Sequence, residues 1–156
     1  MAASIKLRDL AETDISIFYE QQNDSDANRM AAFPVRSRDD FFKHWTTKVL
    51  GNRASIAKAI IESDVVAGYV LSWNQDGKQL VGYWIGKEHW GKGLATTALS
   101  EFLHSLKIRP AYAFVAQHNI GSIRVLEKCG FKIAEHGKVF SEPHGHEVDE
   151  YLMVLT

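Results

Sequence analysis

Residues 81–97 carry the sequence VGYWIGKEHWGKGLATT, in which a strand-like apolar run leads through a glycine turn directly into a helical pattern. The first N–H groups of a helix have no acceptor within the helix, and the helix dipole places partial positive charge at the same end. Glycines allow the backbone to approach an anion closely and to adopt left-handed angles. The stretch therefore predicts either a phosphate-binding helix end or a tight turn that needs glycine for its geometry alone.

Two nucleotide-binding signatures do not fit this turn. A Walker loop requires Ser or Thr directly after its lysine, whereas Lys92 is followed by Gly93 and Leu94. A dinucleotide fingerprint requires a third small residue where Thr96 stands, together with a parallel βαβ unit. The residue after Lys92 excludes the Walker loop. Thr96 and the antiparallel strands that precede the turn exclude the dinucleotide fingerprint.

Three strand-like runs lie immediately before the turn, at residues 54–61, 65–73 and 79–85. They are separated by ESD at residues 62–64 and by NQDG at residues 74–77, and both segments favour tight turns. The spacing predicts an antiparallel meander.

The N-terminal third predicts one strand and two helices. Residues 4–10 alternate as in a half-buried strand, and Thr13 is a candidate cap for a short helix. Residues 23–36 are polar and are interpreted as a long loop, a feature that in compact domains is usually functional or mobile. Residues 37–40 (SRDD) resemble a capping box that opens a helix ending at Gly51.

The C-terminal part completes a mixed sheet. The pattern predicts a helix at 94–106, a strand at 111–116, a helix at 119–129 stopped by Gly130, and strands at about 131–140 and 147–155. No linker or repeat interrupts this order. We therefore expect one α+β domain over residues 1–156, with helices on the faces of a mixed sheet.

Composition narrows the class of protein. The chain has 156 residues, of which 46% are hydrophobic and 24% charged, with a net charge of −1. This balance gives no bulk reason to bind nucleic acid or a membrane surface. Cys129 is the single cysteine, so an internal disulfide is excluded and a cysteine-based metal cluster is not expected. No signal-peptide pattern or long apolar run is visible, so we expect a cytoplasmic protein.

Two segments resemble the GNAT superfamily of acetyl-CoA-dependent N-acetyltransferases. Residues 88–93 (EHWGKG) match its Gln/Arg-x-x-Gly-x-Gly/Ala signature, except that Glu88 replaces Gln or Arg. Residues 119–131 (NIGSIRVLEKCGF) resemble the Asn-x-x-Ser…Glu-Lys-x-Gly-Phe segment of the Rim-type ribosomal-protein N-acetyltransferases. The resemblance implies a mostly antiparallel sheet of about seven strands with helices on both faces. By analogy with that fold, residues 23–34, with Arg29 and Met30 among them, would cover the entrance for the acceptor. We expect Glu88 to point to solvent, since backbone N–H groups make most of the phosphate contacts in such turns.

The resemblance also implies acetyl-CoA as cosubstrate, with no metal. The strand Tyr83, Trp84 and Ile85 would pair with the pantetheine amides, and Asn119 would hydrogen-bond the same arm. The pyrophosphate would be held by N–H groups of the turn and of the first helical residues, namely Trp90, Gly91, Lys92, Gly93, Leu94, Ala95 and Thr96. His144 and His146 are two potential metal ligands without companions at known spacing, so a solvated loop is the expectation there.

Direct attack of an amine on the thioester requires a proton donor for the leaving thiolate. Many relatives carry a Tyr where this chain has Leu126, so the nominated general acid is Ser122, one helical turn earlier. The alternative role of Ser122 is to cap its own helix near Asn119. Val81 occupies a position where relatives often have a catalytic Glu, and no general base is identified. The carboxylates left open as candidates are Glu20, Asp24, Glu147 and Asp149, with an ordered water as a further alternative.

The leading hypothesis is an N-acetyltransferase acting on a primary amine, either a peptide N-terminus or a small molecule. The competing hypothesis is a non-catalytic acyl-CoA-binding or sensor module, favoured by the apolar residues Val81 and Leu126. Dimers are common among relatives, so a homodimer is compatible with the resemblance, although no residue of the chain indicates one.

Overall fold

The computed structural model of the protein describes residues 5–33, 36–51, 55–107 and 109–156. Seven strands form one sheet in the order β1-β2-β3-β4-β5-β7-β6. Their bounds are Ile5–Asp9 (β1), Ile56–Glu62 (β2), Val65–Gln75 (β3), Lys78–Ile85 (β4), Ala111–Ala116 (β5), Lys132–Ser141 (β6) and His146–Leu155 (β7). All neighbours are antiparallel except β4 and β5, so the predicted fold class is confirmed.

Five α-helices accompany the sheet in the described parts of the chain. They are Asp14–Gln22 (α1), Ser25–Ala31 (α2), Arg38–His44 (α3), Leu94–Leu106 (α4) and Ile120–Lys128 (α5). The helix α3 continues as a π-helical segment over Trp45–Leu50, and Lys87–His89 forms a short 3₁₀ turn before α4. No described helix has the length and apolar character needed to cross a membrane.

The two faces of the sheet are covered by different helices. Alternate strand residues such as Val70 and Val81 pack with α4 and α5 in one buried cluster. Residues of the opposite parity, such as Tyr69 and Trp84, pack with Trp45 and the helices α1–α3 in a second cluster. This alternation follows from the period of two along a strand, and it divides the molecule into an α4/α5 face and an α1–α3 face.

The meander and its turns agree with the sequence prediction. Ser63 and Asp64 have φ of 47° and 67°, and Asp76 and Gly77 have φ of 53° and 78°. Two successive left-handed residues suit a tight hairpin, because their backbone twist matches that of the flanking strands. The predicted helix at 94–106 and strand at 111–116 are also confirmed.

Two details of the N-terminal third were predicted wrongly. The polar segment 23–36 is not one long loop, because it contains α2, whose cap Asp24 accepts a hydrogen bond from the Ala27 N–H at 3.0 Å. Residues 34–35 of this segment lie outside the described residues. Thr13 has helical backbone angles and makes no side-chain cap, whereas the Asp14 carboxylate accepts the Ala11 N–H at 2.8 Å.

The central strands β4 and β5 diverge soon after they meet. Their parallel pairing is confined to Leu80 opposite Tyr112. From Val81 to Ile85, β4 is paired with β3 on its other side only, while β5 is paired with β7. The sheet is therefore split in its middle, and this opening lies directly before the glycine turn.

Candidate active site

The glycine turn presents a row of unpaired N–H groups. Gly91 and Gly93 adopt left-handed φ angles of 81° and 73°, and no atom lies within 4 Å of the position that a Cβ would occupy at either residue. Helix α4 begins at Leu94, and its first N–H donated to a backbone carbonyl is that of Thr97, to Gly93 O at 3.2 Å. The N–H of Trp90, predicted to be available to the pyrophosphate, donates instead to Lys87 O at 3.2 Å. The N–H groups of residues 94–96 have no acceptor among the described residues, so they are available to an anion.

A hydroxyl pair joins β4 to α5 on the α4/α5 face. The Tyr83 hydroxyl and Ser122 Oγ are 2.7 Å apart, and either atom can be the donor. Burial raises the pKa of Tyr83 to about 12, although the hydrogen bond to Ser122 opposes the shift. The Tyr83 phenol therefore stays protonated throughout the neutral range and can donate a hydrogen bond to Ser122 Oγ.

Asn119, not Ser122, caps α5. Its side-chain Oδ1 accepts the Ser122 N–H at 3.3 Å, which is the contact from an N-cap to the third helical residue. The alternative in which the Ser122 side chain caps the helix is wrong, because its hydroxyl is bound to Tyr83 instead. Oδ1 of Asn119 is thus engaged, while its amide nitrogen makes no hydrogen bond to a described residue.

One cavity of about 970 Å³ runs through the split in the sheet. Its wall includes the α4 end of the glycine turn, both members of the Tyr83–Ser122 pair, and residues of α2 and α3 on the other face. Of the residues predicted to bind the cosubstrate, the following line this cavity: Tyr83, Trp84, Ile85, Trp90, Gly91, Gly93, Leu94, Ala95, Thr96 and Asn119. The cavity therefore connects the two faces of the molecule.

Lys92 is the predicted residue that does not line the cavity. Its ammonium pairs with the Glu62 carboxylate at 3.2 Å, and His89 Nδ1 contacts the same oxygen at 3.0 Å. These contacts hold the turn against the end of β2. The Glu88 side chain is 76% exposed, which confirms the expectation that it points to solvent.

Glu150 is the one acidic residue among the described residues of the cavity wall. It lies on β7 opposite Ala116 of β5, and the parity of this pair places Glu150 on the α1–α3 face. The carboxylate is half-buried and has no side-chain partner among the described residues. Burial raises the pKa of Glu150 above the ordinary value for Glu. The carboxylate is therefore a stronger base than an exposed Glu.

The carboxylates nominated from the sequence lie outside the cavity wall. Asp24 caps α2, the Glu20 side chain is 71% exposed, and Asp149 lies 3.9 Å from Lys138. Glu147 and Asp149 have the opposite parity to Glu150 on β7, so they lie on the other face of the sheet from Glu150. The sequence did not indicate Glu150, because neighbouring residues of a strand point to opposite faces of the sheet and the register of β7 decides which of them faces the cavity.

The far end of the cavity carries basic groups and aromatic rings. Arg36, His44 and Lys48 line this end, and none of them forms an ion pair with a described carboxylate. Burial is the main cause that lowers the pKa of His44, and the charges of Arg36 and Lys48 lower it further. Of the two residues predicted to cover the entrance, Met30 lines the cavity and Arg29 does not.

Cys129 and the loop that carries His144 and His146 make packing and hydrogen-bond contacts within the protein. Cys129 packs against the α4/α5 core, and burial raises the pKa of its thiol, so the thiolate is disfavoured. The rings of His118 and His144 are 5.1 Å apart, and His144 Nδ1 is 2.7 Å from the Ser141 hydroxyl. Within the described ranges, no group of three or more potential ligand side chains is arranged to hold a metal ion.

The model of the acetyltransferase (GNAT) domain family matches residues 4–132 of the chain. The chain belongs to the GNAT acetyltransferase family. In sequence, this GNAT chain is 29% identical over 111 residues to the uncharacterized N-acetyltransferase p20 of Bacillus licheniformis. That match covers 67% of the chain and spans only 61% of the length of p20.

Solved structures share the GNAT fold over nearly the whole chain. The spermidine N-acetyltransferase of Vibrio cholerae, in complex with CoA and spermine, superposes with a TM-score of 0.84 at 21% identity. This alignment covers 97% of the chain and 94% of that enzyme. An aminoglycoside acetyltransferase in complex with ribostamycin and coenzyme A gives 0.77 at 20% identity, covering 98% and 93%. The resemblance to the Rim-type branch in particular stays a prediction.

Proposed function

We propose that this GNAT protein transfers an acetyl group from acetyl-CoA to a primary amine by direct attack. The observation that carries the proposal is the cavity through the split between β4 and β5, with a hydroxyl pair on one face and a lone carboxylate on the other. Such an arrangement offers a proton donor and a proton acceptor on opposite sides of one reaction space.

The residues of this chain fit acetyl-CoA at two places. The unpaired N–H groups at the start of α4 suit the pyrophosphate, and Gly91 and Gly93 leave open space beside the backbone there. The side of β4 from Val81 to Ile85 that faces β5 has no strand partner, so its backbone groups can pair with pantetheine amides. The Ile85 carbonyl is the exception, because it accepts the Trp90 indole N–H at 2.8 Å. Acetyl-CoA, when bound, supplies an acetyl group activated as a thioester.

Ser122 is proposed as the general acid. Its Oγ holds a proton that can pass to a leaving sulfur, and the Tyr83 hydroxyl, hydrogen-bonded to Oγ at 2.7 Å, can orient it for that transfer. Because the Tyr83 phenol remains protonated at neutral pH, the pair is ready for donation without a prior ionisation. Tyr83 acts through Ser122 and is therefore a positioning residue.

Glu150 is proposed as the general base. An amine must lose a proton before or during its attack, and Glu150 is the carboxylate of the described cavity wall that can accept it. Burial raises the pKa of Glu150, so this pKa lies closer to that of an ammonium group than the pKa of an exposed Glu does. Since Glu150 and the Tyr83–Ser122 pair lie on opposite faces, the incoming and outgoing protons use separate routes.

The test combines binding with turnover on the full chain. Calorimetry measures acetyl-CoA binding, and a thiol-trapping assay measures CoA release with a panel of primary amines. Release above hydrolysis with at least one amine supports the proposal. Tight binding without release would favour the non-catalytic acyl-CoA-binding alternative, and no binding would reject both functions.

A further inference from the structure

The acceptor end of the cavity is rich in aromatic rings. Here the acceptor end means the part of the cavity on the α1–α3 face. The rings that line it are Phe33, Trp45, Tyr69, Trp73, Trp84 and Phe114. They come from the segment after α2, the π-helical segment and three strands, so aromatic surface surrounds this space on several sides. A planar or apolar body is the ligand chemistry that such walls favour.

The charges at this end are of the wrong sign for a polycation. Arg36 and Lys48 are permanent cations without a carboxylate partner in the described chain, and Arg36 lies 5.4 Å from the Phe33 ring centroid. Glu150 is the single acidic group of the described wall. A substrate with several ammonium groups would satisfy one of them at Glu150 and bring the others towards Arg36 and Lys48, which like-charge repulsion disfavours.

We infer that the acceptor is a primary amine on an aromatic or apolar body that also carries an anionic group. The amine would lie towards Glu150 and the anionic group towards Arg36 and Lys48. Arginine and lysine both bind carboxylates and phosphates, so the shared chemistry is a carboxylate or phosphate. This inference rests on the proposed acetyl transfer and narrows its substrate class. The inferred acceptor differs from spermine and ribostamycin, the ligands bound in two structural neighbours.

The experiment compares matched acceptors. The carboxylate probe is para-(aminomethyl)benzoate, with para-(aminomethyl)benzamide as its neutral partner. The phosphate probe is tyramine O-phosphate, with tyramine as its neutral partner, and spermidine is the polycation. We expect kcat/KM for at least one anionic probe to exceed that of its neutral partner by about 10-fold. The probe pair that shows the preference identifies carboxylate or phosphate as the anionic group.

Substitutions of Arg36 and Lys48 at the acceptor end test whether these residues cause the preference for an anionic probe. Arg36→Gln and Lys48→Gln should each raise KM for the preferred anionic probe and abolish its advantage over the neutral partner. The matched controls are Arg38→Gln and Lys43→Gln, which change exposed residues of α3 outside the cavity wall. Calorimetric titration of the preferred probe into protein saturated with coenzyme A gives a second readout, and its affinity should fall in the same two variants.

The outcomes separate this inference from the proposed function. Acetylation of spermidine or of the neutral partners with equal or better kcat/KM would overturn the inference and leave the acetyltransferase function standing. An increase in KM for acetyl-CoA, in place of the acceptor, in Arg36→Gln and Lys48→Gln would also overturn it. If no amine of the panel is acetylated, the proposed function fails and the inference fails with it.

Discussion

At the scale of single residues, the Tyr83–Ser122 pair is the feature most open to test. Ser122→Ala removes the proposed donor, and turnover should fall by roughly 100-fold, within the usual range for general acid catalysis. Acetyl-CoA affinity measured by calorimetry should change little, because the proposed phosphate contacts lie at α4. Ser100→Ala, at an exposed position of α4, is the matched control.

Tyr83→Phe supplies the companion measurement for this pair. It should lower kcat while leaving KM for acetyl-CoA unchanged, since it removes the hydroxyl that donates to Ser122 Oγ. The raised pKa of about 12 implies that the native enzyme loses no activity through ionisation of Tyr83 up to about pH 10. Unchanged turnover in Ser122→Ala would remove Ser122 from the mechanism.

Glu150 gives a prediction about pH. A general base must be deprotonated, so kcat/KM should rise with pH through the pKa of Glu150, which burial places above the ordinary value for Glu. Glu150→Gln should abolish this acidic limb and lower kcat/KM by about 100-fold or more. The control is Asp149→Asn, because Asp149 is 59% exposed and of opposite parity on the same strand. If kcat/KM of Glu150→Gln still rose with pH as in the native protein, the general base would be another group.

The glycine turn is the element on which we propose that acetyl-CoA binding depends. Gly93 has φ of 73°, so Gly93→Ala places a Cβ on a left-handed backbone at a cost of about 1–2 kcal/mol. Thermal unfolding should shift down by a few degrees, since 1 kcal/mol corresponds to about 2–4 °C in a chain of this size. Acetyl-CoA should bind about 10-fold more weakly, because the N–H groups at the start of α4 are displaced.

A matched glycine separates local strain from a general effect of adding a methyl group. Gly137 lies in β6 with no atom within 4 Å of its Cβ position and without a left-handed φ. Gly137→Ala should leave both the unfolding temperature and acetyl-CoA affinity close to those of the native protein. Equal acetyl-CoA affinity in Gly93→Ala and Gly137→Ala would contradict a role for the turn in phosphate binding.

Elements with strong local signals were predictable from the sequence, and short or register-dependent features were not. The meander follows from its turn residues, such as Asp76-Gly77, and α4 follows from its apolar spacing. The seven residues of α2 (SDANRMA) show no helical period, so their helix depends on the Asp24 cap and on packing. The role suggested for Glu150 depends on the register of β7 against β5, which is set by tertiary pairing.

At the scale of the whole molecule, the two faces of the split sheet carry different chemical groups. The α4/α5 face carries the glycine turn and the hydroxyl pair, while the α1–α3 face carries the aromatic rings, the cations and Glu150. The residues that signal the family are concentrated on the first face. The second face, which we expect to select the acceptor, is formed by residues without a family signature, so only the folded arrangement reveals its chemistry.

The attachment of α1 to the first strand predicts how the stability of the whole fold depends on pH. The Asp14 carboxylate, 3% exposed, accepts two hydrogen bonds from Arg8, at 2.7 Å and 2.9 Å. These bonds, together with the Ala11 N–H, lower the pKa of Asp14 in the folded protein despite its burial. Asp14 therefore contributes stability above its unfolded pKa of about 3.9, and this contribution is lost as the pH falls through the lower folded value.

Asp14→Asn tests this linkage by urea unfolding between pH 7 and pH 3. At pH 7 the variant should lose about 2 kcal/mol of unfolding free energy, because Arg8 keeps partial contact with water and the buried site loses a charged acceptor. The difference from the native protein should shrink as the pH falls below 4, because Asp14 is then protonated in the unfolded chain while the folded protein still holds it charged. Asp26→Asn, at a residue whose side chain is 79% exposed, should show no such convergence. A difference that stays constant from pH 7 to pH 3 would mean that Asp14 contributes through shape and neutral hydrogen bonds, without its charge.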